Sequence, residues 1–109
     1  MKYITVNRAA YSRKPAEQEQ ARQDLITFIV NEIFDGNKKT QSDTKSFARN
    51  LHDDEVRSYL ASLKANCAAA KAELAEKIES GYLKNIFMQV RYVFYLARRN
   101  VNWLVDADN

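Results

Sequence analysis

Two lines of apolar residues in the second half of the chain recur with alternating spacings of four and three. The first line is Val56, Leu60, Leu63, Cys67, Ala70 and Leu74, and the second is Leu83, Phe87, Val90, Phe94, Ala97, Val101 and Leu104. Such spacings place side chains on one face of an α-helix and are typical of helices that pack against each other. The two lines therefore predict long helices over residues 53–80 and 82–105.

The residues between the two lines indicate how these helices are connected. Gly81 separates the lines, and the heptad phase slips between Ile78 and Leu83. Glycine is typical of the position just beyond a helix end, so we predict an antiparallel hairpin. The alternative is one bent helix over 53–105, which at about 1.5 Å per residue would be about 80 Å long and would require oligomerisation.

Small side chains fill the middle of the predicted helix 53–80. They are Cys67, Ala68, Ala69, Ala70 and Ala72. Small residues allow a neighbouring helix to approach closely, so we expect this stretch to accommodate the bulky Phe87 and Phe94 of the last helix.

The first half of the chain predicts two further helices and an arm. Pro15 is tolerated in a first helical turn and Gly36 suits a left-handed cap, which predicts a helix over residues 15–35. Ser42 and Asp43 are favoured N-cap residues for a short helix over residues 42–51. Residues 1–14 carry four bases and no acid, and we predict a short, basic, extended arm there.

The scarcity of turn-forming residues excludes the main alternatives to a helical fold. Only two glycines and one proline occur in 109 residues. A mostly β fold needs many tight turns, and a nucleotide-binding α/β fold needs a glycine-rich loop. The sequence thus predicts one domain over residues 1–109. Its fold class is all-α, a three- to four-helix bundle with a long C-terminal helical hairpin and the N-terminal arm.

Acidic and basic segments alternate along the chain, which has a net charge of +3. Residues 15–36 carry five acids and one base, whereas residues 81–105 carry four bases and no acid. We interpret the alternation as acidic helices lying beside basic ones.

The few residues capable of catalysis have structural explanations. His52 is the only histidine and stands next to three acids that suit the start of a helix. Cys67 is the only cysteine and falls on the apolar line, where a thiol behaves as a small hydrophobic group. We therefore predict a non-enzymatic protein without catalytic residues, metal ligands or a cofactor.

No segment of the sequence suggests a membrane span. The longest uncharged runs within 82–105 have six residues, whereas a spanning helix needs about 20 apolar residues. Residues 1–14 contain no apolar core of the kind found in signal peptides. These features, with a single cysteine, predict no membrane association and a cytoplasmic location.

Aromatic and basic side chains on the last predicted helix are the candidate partner-binding residues. They are Lys84, Arg91, Tyr92, Tyr95, Arg98, Arg99 and Trp103. Tyrosine, tryptophan and arginine are enriched where protein interfaces are strongest. We predict a small protein-interaction module, such as an adaptor, regulator or inhibitor of a larger protein, and homodimerisation through the same helix is a further expectation.

Nucleic-acid binding is the alternative function. Two basic trios have seven-residue spacing, Arg57, Lys64 and Lys71 on one helix and Lys84, Arg91 and Arg98 on the other. Two basic edges could follow phosphates, and the neighbouring aromatic rings could stack on bases.

Overall fold

The computed structural model describes the backbone of residues 15–107 and the side chains of residues 16–101. This part of the chain has five α-helices and no strand, which confirms the all-α class. The helices are α1 (Pro15–Phe28), α2 (Gln41–Arg49), α3 (Asp53–Ala65), α4 (Cys67–Glu79) and α5 (Ile86–Ala107). The predicted arm over residues 1–14 lies outside the described residues.

The end of α1 is wider than an ordinary α-helix. A π-helical turn, Ile29–Ile33, continues α1, and the predicted cap Gly36 has a positive φ of 77°. Asp35 also has a positive φ, of 52°. A short 3-10 turn, Lys38–Thr40, then leads into α2.

The helix predicted over residues 53–80 is interrupted at Asn66. Its φ and ψ are −126° and 27°, outside the helical range, and its side-chain amide donates to the carbonyl of Ser62 at 3.2 Å. The backbone N–H of Asn66 donates to the same carbonyl, also at 3.2 Å, and an additional side-chain bond of this kind distorts a helix locally. The chain consequently forms two helices, α3 and α4, where the apolar line predicts one.

The last helix begins at Ile86 and not at Tyr82, because Gly81 ends the preceding helix and Asn85 caps the next one. Gly81 has a φ of 81°, which ends α4. Asn85 then caps α5, since its side-chain oxygen accepts the backbone N–H of Met88 at 2.9 Å. The chain thus leaves the helix between α4 and α5, and the two helices contact each other as a hairpin.

The core lies where α3 packs on α1 and α5. Its largest fully buried apolar side chains are Leu25, Ile29, Val56, Leu63, Val90, Val93 and Leu96. Ser62 of α3 is fully buried against α5, and its hydroxyl donates to the carbonyl of Ala97 at 3.1 Å. Small residues therefore mark the close crossing of α3 and α5.

The expected packing of Phe87 and Phe94 against the alanine-rich stretch is wrong. Ala68, Ala69 and Ala72 are exposed. Phe94 stacks on Phe47 of α2 at 5.4 Å between ring centroids. Phe87 lies 5.3 Å from the same ring and is 52% exposed. The interruption at Asn66 separates the alanine-rich stretch from α3, so the close approach occurs at Ser62 instead.

The helices of the described part of the chain include none that is both long and apolar enough to cross a membrane.

Candidate functional site

An open groove of about 630 Å³ lies between α4 and α5. Its walls combine aromatic, apolar and charged side chains from both helices and from the connection between them. They are Glu73, Glu76, Lys77, Tyr82, Leu83, Met88, Arg91, Tyr92, Tyr95 and Arg99. A concave surface with an apolar floor and a few polar groups is the usual form of a binding site.

The turn after α4 places Tyr82 at the edge of this groove. The N–H of Gly81 donates to the carbonyl of Ile78, and the N–H of Tyr82 donates to the carbonyl of Lys77, both at 3.1 Å. This pair of bonds is the Schellman motif, which a glycine with positive φ makes accessible. The ammonium of Lys77 lies 5.1 Å from the centre of the Tyr82 ring. The turn thus fixes the position of an aromatic side chain that is 64% exposed.

A hydrogen-bond network joins the two walls of the groove. Arg99 of α5 donates from both terminal nitrogens to the carboxylate of Glu73 on α4, at 2.7 and 3.2 Å. The hydroxyl of Tyr92 donates to the same carboxylate. Arg99 also lies over the ring of Tyr95, 5.7 Å from its centre. These contacts fix the register of α4 against α5 and orient the Tyr95 ring.

The network lowers the pKa of its carboxyl group and raises the pKa values of its tyrosine and arginine. Hydrogen bonds from Arg99, reinforced by Tyr92, hold the pKa of the Glu73 carboxyl below its usual value, although partial burial opposes this. Burial, with the hydrogen bond to Glu73, raises the pKa of the Tyr92 hydroxyl. The pKa of Arg99 is raised by its bonds to Glu73. The charged carboxylate and the neutral tyrosine are therefore the forms that stabilise the fold.

The lowered pKa of Glu73 predicts an acid-dependent loss of stability. A carboxyl with a depressed folded-state pKa stabilises the fold above its unfolded value, near 4.3, and that contribution disappears as the pH falls through the folded-state pKa. We expect Glu73→Gln to cost about 1 kcal/mol at pH 7 and progressively less below about pH 4. Urea unfolding across this range measures the difference. Glu76→Gln controls for removal of a carboxylate from α4, and an equal cost of Glu73→Gln at acid and neutral pH would contradict the assignment.

Four of the seven predicted partner-binding residues line the groove. They are Arg91, Tyr92, Tyr95 and Arg99. Tyr92 and Arg99 are engaged with Glu73, so they organise the groove from within, whereas Tyr95 is 52% exposed. Lys84 and Arg98 are exposed outside the groove. The side chain of Trp103 lies beyond the described part of the chain.

Sequence reasoning missed the contributions of α4 and of the turn, namely Glu73, Lys77 and Tyr82. The signal in the sequence was Gly81, because a glycine that caps a helix fixes the position of the next residue, here Tyr82. Glu73 carried no such signal, since its role depends on the register of α4 against α5.

The first of the two predicted basic edges does not form a continuous row. Arg57 and Lys64 belong to α3, but Lys71 belongs to α4, beyond the interruption at Asn66. The ammonium of Lys71 is 3.0 Å from the carboxylate of Asp35, and this contact raises its pKa. The predicted edge is therefore split between two helices, and one of its cations is paired.

Comparison of the chain with family models, curated proteins and solved structures found no match.

Proposed function

We propose that the protein is a small, non-catalytic interaction module that binds a larger protein through the groove between α4 and α5. As an adaptor, regulator or inhibitor, it would receive a protruding apolar or aromatic side chain of its partner in this groove. The observation that carries the proposal is the pair of exposed aromatic rings, Tyr82 and Tyr95, at the walls of a groove that also contains Arg91. Tyrosine and arginine beside a pocket are typical of the residues that dominate binding energy.

The contacts that position the two tyrosines support the same proposal. Tyr82 is held by the Gly81 turn and its contact with Lys77. Tyr95 is held between Tyr92, 5.5 Å away between ring centroids, and Arg99. Aromatic side chains that are ordered before binding lose little conformational entropy in a complex. The groove therefore has both the composition and the order of a binding surface.

Nucleic-acid binding remains the second candidate function, supported by the exposed row Lys84, Arg91 and Arg98. The other predicted basic row is divided between α3 and α4, and its Lys71 is paired with Asp35. For this reason we place protein binding first.

Affinity capture with groove variants tests the proposed function. We expect the wild-type protein to capture a cellular protein that the double variant Tyr82→Ala, Tyr95→Ala recovers at least tenfold less, because removing two central aromatic contacts costs about 2 kcal/mol or more. Quantitative mass spectrometry measures the recovery. Ile78→Ala is the control, since it shortens an exposed apolar side chain of α4 that does not line the groove.

Two outcomes would contradict this function. Equal recovery of every protein by wild type and by the double variant would exclude the groove as the binding surface. Loss of all capture after nuclease digestion would favour the nucleic-acid alternative. Thermal unfolding of each variant verifies that the substitutions have left the fold intact.

A further inference from the structure

Three cations on or just before the outward face of α5 form no ion pair within the described part of the chain. Lys84, just before the helix, and Arg91 and Arg98 within it are all exposed. No acidic residue occurs anywhere in 81–105. None of these three forms an ion pair with a described side chain, in contrast to Arg22, Lys71 and Arg99. The face thus concentrates positive charge that no acidic side chain among residues 16–101 pairs with.

Two half-exposed aromatic rings lie on the same face between the cations. In chain order the face reads Lys84, Phe87, Arg91, Tyr95 and Arg98, which we call the α5 ridge. Phe87 and Tyr95 are each 52% exposed. Spacings of three and four residues keep the four that belong to α5 on one side of the helix, and Lys84 lies just before its first turn. The ridge therefore alternates charge and apolar surface along its length.

The seven-residue spacing of the cations matches the repeat with which a partner helix, lying alongside, returns to the same face. Seven residues correspond to about 10.5 Å along an α-helix, so Arg91 and Arg98, both within α5, are separated by two turns. A second helix lying alongside returns to the same face every seven residues and can present one carboxylate to each cation. Apolar residues of that helix between the carboxylates would cover Phe87 and Tyr95.

From this arrangement we infer that the partner contributes an acidic amphipathic α-helix, with carboxylates at seven-residue spacing, that lies along the α5 ridge. The inference rests on the proposed function and specifies the chemistry of the partner. The groove beside the ridge, with Leu83 and Met88 in its walls, accepts one larger apolar side chain of the same helix.

Synthetic peptides test this inference directly. The probe is a peptide of about three heptads, rich in alanine, with glutamate once per heptad and leucine between the glutamates. The comparison peptide has lysine in place of each glutamate. By fluorescence anisotropy we expect the glutamate peptide to bind at least tenfold more tightly than the lysine peptide, with an affinity that weakens as salt is added.

Protein variants locate the binding to the ridge. The triple variant Lys84→Gln, Arg91→Gln, Arg98→Gln is expected to lose roughly tenfold in affinity for the glutamate peptide, because three surface charge pairs are removed. The matched control is Lys38→Gln, Lys39→Gln, Lys45→Gln, which removes the same charge from exposed positions elsewhere. We expect this control to bind like wild type.

Several results would overturn the inference. These are equal binding of the two peptides, equal losses in the ridge and control variants, or tighter binding of a single-stranded oligonucleotide with steep salt dependence. A dimer detected by light scattering and abolished by the ridge variant would also overturn it, by identifying a second copy as the occupant. These failures are separate from failure of the proposed function, which is measured by capture with the Tyr82 and Tyr95 variants.

Discussion

Replacing Arg22 with methionine is expected to lower the free energy of unfolding by about 3 kcal/mol. The guanidinium of Arg22, on α1, donates to the carbonyls of Ala48 and Leu51 and to the carboxylate of Asp53, the last at 2.7 Å. It thereby joins the end of α2 to the start of α3. Its side chain is only 17% exposed, so methionine would bury an apolar group where three charge-assisted hydrogen bonds are lost together.

Methionine keeps the length of the aliphatic stem, so this substitution isolates the loss of the guanidinium. Arg22→Lys should recover only part of the stability, because an ammonium cannot reproduce the planar fork that reaches all three oxygens. Arg49→Met, at an exposed site on α2, controls for the removed charge and should change stability by less than about 0.5 kcal/mol. Chemical denaturation measures all three. Similar values for Arg22→Met and Arg49→Met would show that the contacts of Arg22 contribute little.

The role of Arg22 shows that the periodicity of a sequence does not predict contacts between side chains and backbone groups of different helices. Arg22 stands out in the sequence only as the single base of the acidic segment 15–36. Its partners are two backbone carbonyls and one carboxylate that lie 26 to 31 residues further along the chain. Such a contact depends on how three helices meet, and spacing within one helix carries no information about it.

The sequence predicts a helix boundary where one local feature, such as a capping glycine, determines it. It does not predict the boundary where helix propensity and a side-chain hydrogen bond compete. The left-handed caps at Gly36 and Gly81 follow from the conformational freedom of glycine, and both have positive φ. Asn66 and Asn85 alter the predicted helices because their side chains bond nearby backbone groups. The strong helix propensity of the surrounding alanines masked the effect of Asn66 in the sequence.

The candidate site was predictable on one side only. The aromatic and basic character of α5 is visible in the sequence, and it predicted Arg91 and Tyr95, which line the groove, as partner-binding residues. The opposite wall depends on the interruption at Asn66, which sets the position of α4 beside α5. Glu73 could therefore be recognised only once the two helices were seen together.

The crossing of α3 and α5 leads to the second large expected effect, for Ala97→Leu. Ala97 and Ser62 are both fully buried where the two helices meet, and the Ser62 hydroxyl donates to the Ala97 carbonyl. Three additional carbon atoms at this point have no free volume to enter, so the helices must move apart or the side chain must adopt a strained rotamer. We expect a loss of about 3 kcal/mol in the free energy of unfolding.

Ala61→Leu is the matched control because it makes the same change on α3 at an exposed position, where it should cost less than about 0.5 kcal/mol. If Ala97→Leu does not fold, Ser62→Ala tests the same crossing by removing only the hydroxyl, with an expected loss of about 1 kcal/mol. Thermal and urea unfolding measure each variant. Stabilities of Ala97→Leu and Ala61→Leu that agree within error would mean that the crossing tolerates bulk. The groove would then rest on helices that are free to shift, because α5 supplies both the crossing residue Ala97 and the groove residues Arg91, Tyr95 and Arg99.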